Sequence, residues 1–239
     1  MTRVGIITQA RTTSTRLPGK VLIEVGGRTL LDHHLDRLAT SGLPVFVATT
    51  VEPTDDAIAD LARRRGLDCH RGSEQDVLER FHECAVAHRL DVVVRVTSDC
   101  PLIDGRVIAE AVETYLREAD PALYLSNVVH RTFPRGFDFE IFGAPLLADA
   151  HDHAVAPDER EHVTPYLRAG APDRVRMQDW TWPEDKSAYR VTLDTVEDLS
   201  LIERLIEDHG AHELDCAGVV ELLDRHPELV ELNRNVVQK

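Results

Sequence analysis

The sequence predicts an α/β fold, a mostly parallel sheet flanked by helices, on three observations. Residues 3–9, 44–50 and 91–97 are short, nearly continuous apolar runs, the signature of strands buried on both faces of a parallel sheet. Stretches with apolar residues at helical spacing separate them, so strand and helix alternate, and right-handed crossovers then make the strands parallel. The loop after the first run, Gln9 to Lys20, gathers Arg11, Arg16 and Lys20 among hydroxyl residues. In a Rossmann-like sheet that loop stands at the carboxyl end of a strand, where ligands bind. A chain of 239 residues is long enough for one large domain with a proper core, and residues 1–239 are expected to form one.

Taken in order, the first strand and its basic loop lead to a brief extended piece, Val21 to Val25, ending at Gly26-Gly27. Thr29 suits a helix N-cap, with Leu30, Leu31, His34, Leu35 and Leu38 at helical spacing up to Gly42. The second strand, 44–50, precedes a helix that Asp55-Asp56 opens and Gly66 closes. A short third strand at 67–70 leads to Arg71-Gly72-Ser73-Glu74-Gln75-Asp76, where Ser73 is expected as N-cap and Asp76 as its capping-box partner for a helix running to about Arg89. That donor-rich helix start can face a nucleotide base or be a simple helix start. The strongest strand, 91–97, runs into Ser98-Asp99-Cys100-Pro101-Leu102; a carboxylate there serves a ligand or caps the next helix, expected over 104–118.

A strand over 122–127 follows, then a small β-rich excursion over 130–185. If 137–142 is extended, Asp138 and Glu140 share one face opposite Phe137, Phe139 and Ile141. The two carboxylates then require an arginine, a substrate hydroxyl or a neighbouring subunit. Two strands, 175–182 and 189–193, flank a Pro-Glu-Asp-Lys turn, and the rest of the chain, from Leu199, reads as helical with an acidic outer face.

Charge narrows the function. Lysine and arginine number 27 against 42 acidic residues, a net charge of −15, which argues against nucleic acid and anionic membranes as partners. Residues 1–28 reverse the balance, with Arg3, Arg11, Arg16, Lys20 and Arg28 against Glu24. Positive charge is thus concentrated on the loop, which suits a polyanion such as a nucleoside triphosphate; a solvated basic loop is the plain alternative. The loop is not a Walker motif, since Val21 stands after Gly19-Lys20, and it lacks the closely spaced glycines of a dinucleotide fingerprint. Cys69, Cys84, Cys100 and Cys216 have no CxxC spacing, and neither a signal peptide nor a long apolar span is present, so a reduced, cytoplasmic protein is expected. Cys100 reads as a buried thiol rather than a nucleophile. His33-His34 and His151-Asp152-His153 lack a third ligand for a metal.

The wording of three segments is specific. Gln9-Ala10-Arg11 with Ser14-Thr15-Arg16-Leu17-Pro18-Gly19-Lys20, then Asp99-Cys100-Pro101-Leu102, then Arg190 to Leu199 with Asp194-Thr195 and Glu197-Asp198-Leu199, together resemble the cytidylyltransferases that make CMP-activated sugars. The likeness is greatest to the spore-coat polysaccharide biosynthesis branch, related to the CMP-Kdo and CMP-acylneuraminate synthetases, and covers nearly the whole chain. The resemblance implies a nucleotide-diphospho-sugar transferase type of sheet and CMP transfer from CTP to an acidic acceptor with release of pyrophosphate. Ala10, Arg11, Arg16, Lys20, Arg71, Ser73 and Asp99 would bind the nucleotide. Arg11, Lys20, Asp99 and Asp194 would be catalytic, and Asp99 and Asp194 would hold Mg²⁺. Arg135, Asp138, Glu140, Arg160 and His162 would lie on the acceptor side, where each alternatively forms a structural salt bridge. An anionic acceptor oxygen needs no general base; an anomeric hydroxyl does, and Asp138 or a metal-bound hydroxide are the candidates.

Two departures from the pattern stand out. Thr12-Thr13 replaces a hydrophobic residue and a glycine, and Ser98 replaces a glycine before Asp99. A homodimer is expected through the excursion, because Phe133, Phe137 and Phe139 have no evident place in one core. The alternative from another class is a nucleotide-sugar-binding or glycosyltransferase-A-type protein without cytidylyl transfer.

Overall fold

The computed structural model describes residues 2–169 and 174–237, so residues 170–173 of the excursion lie outside the described residues. Nine strands and ten α-helices occur among them: β1 Val4–Gln9, β2 Glu24–Val25, β3 Arg28–Thr29, α1 Leu30–Ala39, β4 Val45–Thr50, α2 Asp56–Arg64, β5 Asp68–Gly72, α3 Val77–Ala87, β6 Val92–Thr97, α4 Gly105–Glu118, β7 Leu123–Ser126, β8 Glu140–Gly143, α5 Ala144–His153, α6 Pro157–His162, α7 Pro165–Ala169, β9 Arg176–Asp179, α8 Val196–Glu207, α9 Cys216–Arg225 and α10 Pro227–Val230.

Seven strands make one sheet in the order β5-β4-β1-β6-β8-β7-β9. β5, β4, β1 and β6 run parallel, β8 is antiparallel to both neighbours, and β9 is again parallel to β7. The apolar runs fill its centre: Ile6, Ile7, Val47, Val93 and Val94 are fully buried, as expected of strands covered on both faces. From β1 the chain winds outward to β4 and β5, then returns to β6 on the other side of β1. The register Gln9↔Thr97 therefore sets the carboxyl ends of β1 and β6 side by side at the switch point, where a crevice opens.

Several local expectations hold. Thr29 caps α1 by accepting from the Asp32 N–H, the helix expected over 104–118 forms as α4, and Cys100 is buried with its thiol pushed well above the ordinary value by burial and the neighbouring Asp99. Others are corrected. Asp76 rather than Ser73 caps α3, accepting from the Glu79 N–H, while the Ser73 hydroxyl accepts from the Asp76 N–H one turn earlier. The helix ends at Ala87, two residues short of the expected end. Residues 189–193 form no strand, only a single bridge between Arg135 and Arg190. The strands of the excursion join the main sheet, with α5, α6 and α7 between them; the separate two-stranded antiparallel sheet is β2-β3.

Phe133, Phe137 and Phe139 are each at most 2 % exposed. Phe139 packs in the main core, whereas Phe133 and Phe137 join Val191, Leu193 and the apolar faces of α8 and α9. The C-terminal helices thus supply the burial that the sequence left unassigned. No helix among the described residues is long and apolar enough to cross a membrane.

Candidate active site

The loop after β1 is shaped by its threonines as well as its cations. Thr12 and Thr13 stay out of the left-handed region, where β-branched side chains are strained. Their polar groups are tied down instead: the Thr12 N–H and hydroxyl donate to Asp55 at 2.8 and 2.6 Å, and the Thr13 hydroxyl donates to Glu74. The Gly19 N–H closes the loop on the Thr12 carbonyl at 2.8 Å, and Gly19 alone takes the left-handed turn (φ 68°) that aims Lys20 inward. Burial raises the Asp55 carboxyl, but the hydrogen bonds from Thr12 and Thr50 outweigh it and hold it below its ordinary value.

The Lys20 ammonium donates to the Asp99 carboxylate at 3.1 Å, the Asp194 carboxylate at 2.9 Å and the Leu193 carbonyl at 2.7 Å. Asp99 and Asp194 are 95 positions apart by number, yet the Leu193 N–H donates to the Asp99 carbonyl at 2.8 Å and fastens the two segments together. Burial works against the charge on both partners of the Lys20–Asp99 pair. The Coulombic attraction wins, so Asp99 is held below its ordinary value and Lys20 above its own. Asp194 is also bound by Arg16 at 3.1 Å and by Arg190 at 2.9 Å.

Asp198 caps α8 together with Thr195. It is moreover fully buried and accepts from Arg190 and Asn233, which anchors the segment carrying Asp194. Gly136 lets this segment approach: a Cβ on it would stand 2.7 Å from the Val191 carbonyl carbon, at φ 109°.

Arg16, Lys20, Asp99 and Asp194 line a cavity of about 520 Å³ that also includes Ala10, Arg11, Arg80, Arg95, Thr97 and His162. A second cavity, of about 630 Å³, shares Arg95, Thr97 and His162 with it and is otherwise lined by Arg131, Arg135, Asp138, Glu140 and Arg168 among others. The two cavities adjoin over the ends of β1 and β6: the first gathers Ala10, Arg11, Arg16, Lys20, Asp99 and Asp194 of the residues expected on the nucleotide side, the second Arg135, Asp138, Glu140 and His162 of those expected on the acceptor side.

Not every expected residue reaches them. Arg71 lies on the edge strand and spends its guanidinium on the Thr50 and Glu52 carbonyls and Asp56; neither it nor Ser73 lines the first cavity. Arg160 binds Asp76 and the His151 carbonyl and lines neither space. Asp138 and Glu140 do not act as a side-by-side pair. Asp138 is held by both terminal nitrogens of Arg131, at 2.5 and 2.9 Å. Buried Glu140 accepts from Arg95, Tyr124 and Thr164. The arginines foreseen as partners for these carboxylates are Arg131 and Arg95 of the same chain.

Three features escaped the sequence reading. Arg80 sits on the buried face of α3, one turn from Val77 and Cys84, with its Nε lacking a hydrogen bond among the described residues. Burial, then the nearby Arg11, brings its guanidinium down to about 10. A cation at an apolar position of a helix was the available signal. Arg95 is likewise the lone charge in the VVVRVT strand, and its Nε also has no partner there. Val163 adopts φ 70°, ψ −51° between His162 and Thr164, and the Thr164 N–H donates to the His162 carbonyl at 2.8 Å. This is a strained three-residue turn, which sets His162 at the cavities and Thr164 on Glu140.

Asp99 and Asp194 converge on one cation, and Mg²⁺ takes one or two carboxylates together with phosphate oxygens and waters. The donor set fits that metal. Among the described residues no cluster of three or more carboxylate, imidazole or thiol groups converges anywhere, so an all-protein metal cage is absent there.

Comparison with known proteins gives a consistent picture. A family model described as Cytidylyltransferase matches residues 5–221. The chain is 32 % identical to the spore coat polysaccharide biosynthesis protein SpsF of Bacillus subtilis, over 95 % of this chain and 97 % of that protein. It is 34 % identical to a 3-deoxy-manno-octulosonate cytidylyltransferase of Solibacter usitatus, over 49 % of this chain and 46 % of the relative. The solved structure of a cytidylyltransferase from Leptospira borgpetersenii superposes with a TM-score of 0.92 at 34 % identity, covering both chains completely.

Proposed function

We propose a reaction from one premise: the chain belongs to the cytidylyltransferase family. It moves CMP from CTP to an acidic acceptor, whether sugar acid, phosphonate or sugar phosphate, as one nucleotidyltransferase domain spanning residues 1–239. An acceptor oxygen attacks the α-phosphorus, and pyrophosphate leaves. The observation that carries this reading is the pair of adjoining cavities, one floored by Lys20 between Asp99 and Asp194, the other lined with arginine, meeting at Arg95, Thr97 and His162.

Arg11 and Arg16 lie at the first cavity with more than a third and nearly a third of their side chains accessible, 38 % and 31 %, so they can turn onto a triphosphate. Lys20 is released from one carboxylate or both when phosphate oxygens arrive, and stabilises charge building on the leaving pyrophosphate. Asp99 and Asp194 are the residues that would hold Mg²⁺, which when bound neutralises phosphate charge. Arg135 and His162 face the acceptor, while Arg71, Ser73 and Arg160 support the walls around the nucleotide through their own hydrogen bonds. The protein acts in the cytoplasm, in keeping with its scattered free thiols.

A homodimer is part of the proposal, by analogy with the family alone, since the three excursion phenylalanines are buried within the chain. Light scattering near twice 26.8 kDa supports it; the monomer mass across the micromolar range removes it. The reaction is tested by incubating the protein with Mg²⁺, each of the four nucleoside triphosphates and a panel of ulosonic acids, phosphonates and sugar phosphates. Pyrophosphate release with CTP and one acceptor class is expected. CTP binding without release under every condition would favour a nucleotide-binding protein.

A further inference from the structure

We infer that the acceptor's attacking group is itself a phosphoryl-type dianion, a phosphonate or a phosphate monoester, rather than the hydroxyl of a sugar acid. This rests on the cytidylyl-transfer reading above and narrows it.

The second cavity presents four guanidinium groups, Arg95, Arg131, Arg135 and Arg168, against two carboxylates, Asp138 and Glu140. Both carboxylates are consumed: Asp138 by the two terminal nitrogens of Arg131, and Glu140 by Arg95, Tyr124 and Thr164. Among the described residues, the side chains of Arg135 and Arg168 have neither a hydrogen bond nor an ion pair. Two cationic forks are thus left for a ligand, which a dianion neutralises and a monocarboxylate does not.

A dianionic acceptor also dispenses with a general base. An attacking hydroxyl must lose a proton, and a base has to stand within hydrogen-bond reach of it. Asp138 has both oxygens engaged by Arg131. Glu140 is 3 % exposed. Asp99 is bound by the Lys20 ammonium and by the Thr97 hydroxyl at 2.5 Å. His162 and Glu161 at the junction are about half exposed, meeting Asp158 at 3.4 Å and Arg11 at 3.6 Å. A phosphoryl oxygen that arrives ionised needs none of them. One of its lone pairs forms the new P–O bond to the α-phosphorus, the bond from that phosphorus to the bridging oxygen breaks, and pyrophosphate departs with the electron pair. No proton moves, and the product is a CMP-linked anhydride.

The inference is tested by calorimetry on the full chain with Mg²⁺ and a CTP analogue whose α,β-bridge is methylene. Glycerol 3-phosphate and methylphosphonate are titrated against N-acetylneuraminate. The phosphoryl probes are expected to bind about tenfold more tightly or better, the scale of a charge-assisted contact. Arg135→Ala and Arg168→Ala should each reduce that ratio toward one with the fold intact by circular dichroism. Equal binding, tighter binding of the sugar acid, or no binding of the phosphoryl probes overturns the inference. Saturation by the CTP analogue is read first in the same cell, and the anions are also titrated without it. Failure of the nucleotide to bind therefore counts against the cytidylyl reading, whereas an inverted anion ranking counts only against the dianionic acceptor. With CTP itself, ³¹P spectra should show two coupled anhydride resonances; one uncoupled phosphodiester resonance from a sugar acid contradicts it.

Discussion

The floors of the two adjoining cavities are built differently. Beneath the nucleotide side runs a chain of neutral groups: buried His34 takes a hydrogen bond from Thr8 at 2.8 Å and gives one to the Cys100 carbonyl at 2.9 Å, and Thr8 meets Ser98 at 2.8 Å. The Ser98 hydroxyl that replaces the family's glycine is thereby turned to Thr8. Charge on this side lies in the Lys20–Asp99–Asp194 cluster, the loop arginines, Glu161 and the buried Arg80. Beneath the acceptor side the support is itself ionic, Glu140 with Arg95 and Asp138 with Arg131. On the function proposed above, the difference is that Lys20 would trade its carboxylates for phosphates on the first side. The acceptor side keeps its ion pairs and offers a ligand only its surplus arginines.

The largest effect should come from breaking the exchangeable cluster. Asp99→Asn and Asp194→Asn keep the shape and remove a charge, and each should lower turnover about a hundredfold or more; as parts of one unit, their losses should not add. Steady-state rates of both single variants and the double variant check this. Full activity in Asp194→Asn alone would leave that residue only a structural role, through its bonds to Lys20, Arg16 and Arg190.

The neutral floor gives a pH signature that the ionic floor does not. Burial holds His34 down to about 4, from an ordinary 6.5. Between those values the unfolded chain binds a proton that the folded chain refuses, so stability is full above about pH 6.5 and falls as the pH drops toward 4. The loss is about 3 kcal/mol. Asp55, Glu140 and Asp198 are held below their ordinary values, so what they contribute is lost at still lower pH. Urea unfolding at pH 7 and pH 5 measures the His34 share, and His34→Gln should flatten it.

Lys20→Ala should weaken CTP binding by about 1.5–3 kcal/mol, the range for a charge-assisted contact. Binding of an acceptor-side anion should change much less. The smallest effect sharpens the comparison from the other side: Arg135→Ala should leave CTP affinity within about 0.5 kcal/mol. A CTP loss as large as that of Lys20→Ala would mean that the two cavities are one site.

The same contrast decides what could be read from sequence. The nucleotide side is local: the apolar run 4–9, its basic loop, Gly19 before Lys20, and Asp99 directly after β6 all carry their meaning within a few residues. Even the distant Asp194 could be placed there, because its motif resembles that of the family. The acceptor side is assembled by register. Arg95 meets Glu140 because β6 pairs with β8 at those positions, and Thr164 reaches Glu140 through the strained turn at Val163. Neither pairing has a local cue. Asp138 and Glu140 alternate correctly for a strand, yet Asp138 lies just before β8 and is taken by Arg131, so period alone could not separate their fates. Phe133 and Phe137 seemed surplus because the helices that cover them come about 60 or more residues later.

The most direct test of the account is calorimetric titration of CTP, UTP, ATP and GTP, each with Mg²⁺, into the wild-type protein. Tight saturable binding of CTP with a Kd at least about tenfold below the others, a gap of 1.4 kcal/mol, is the result expected of a cytidylyltransferase with its triphosphate seated on Lys20. Equal affinity for all four, or no binding of CTP, would contradict it.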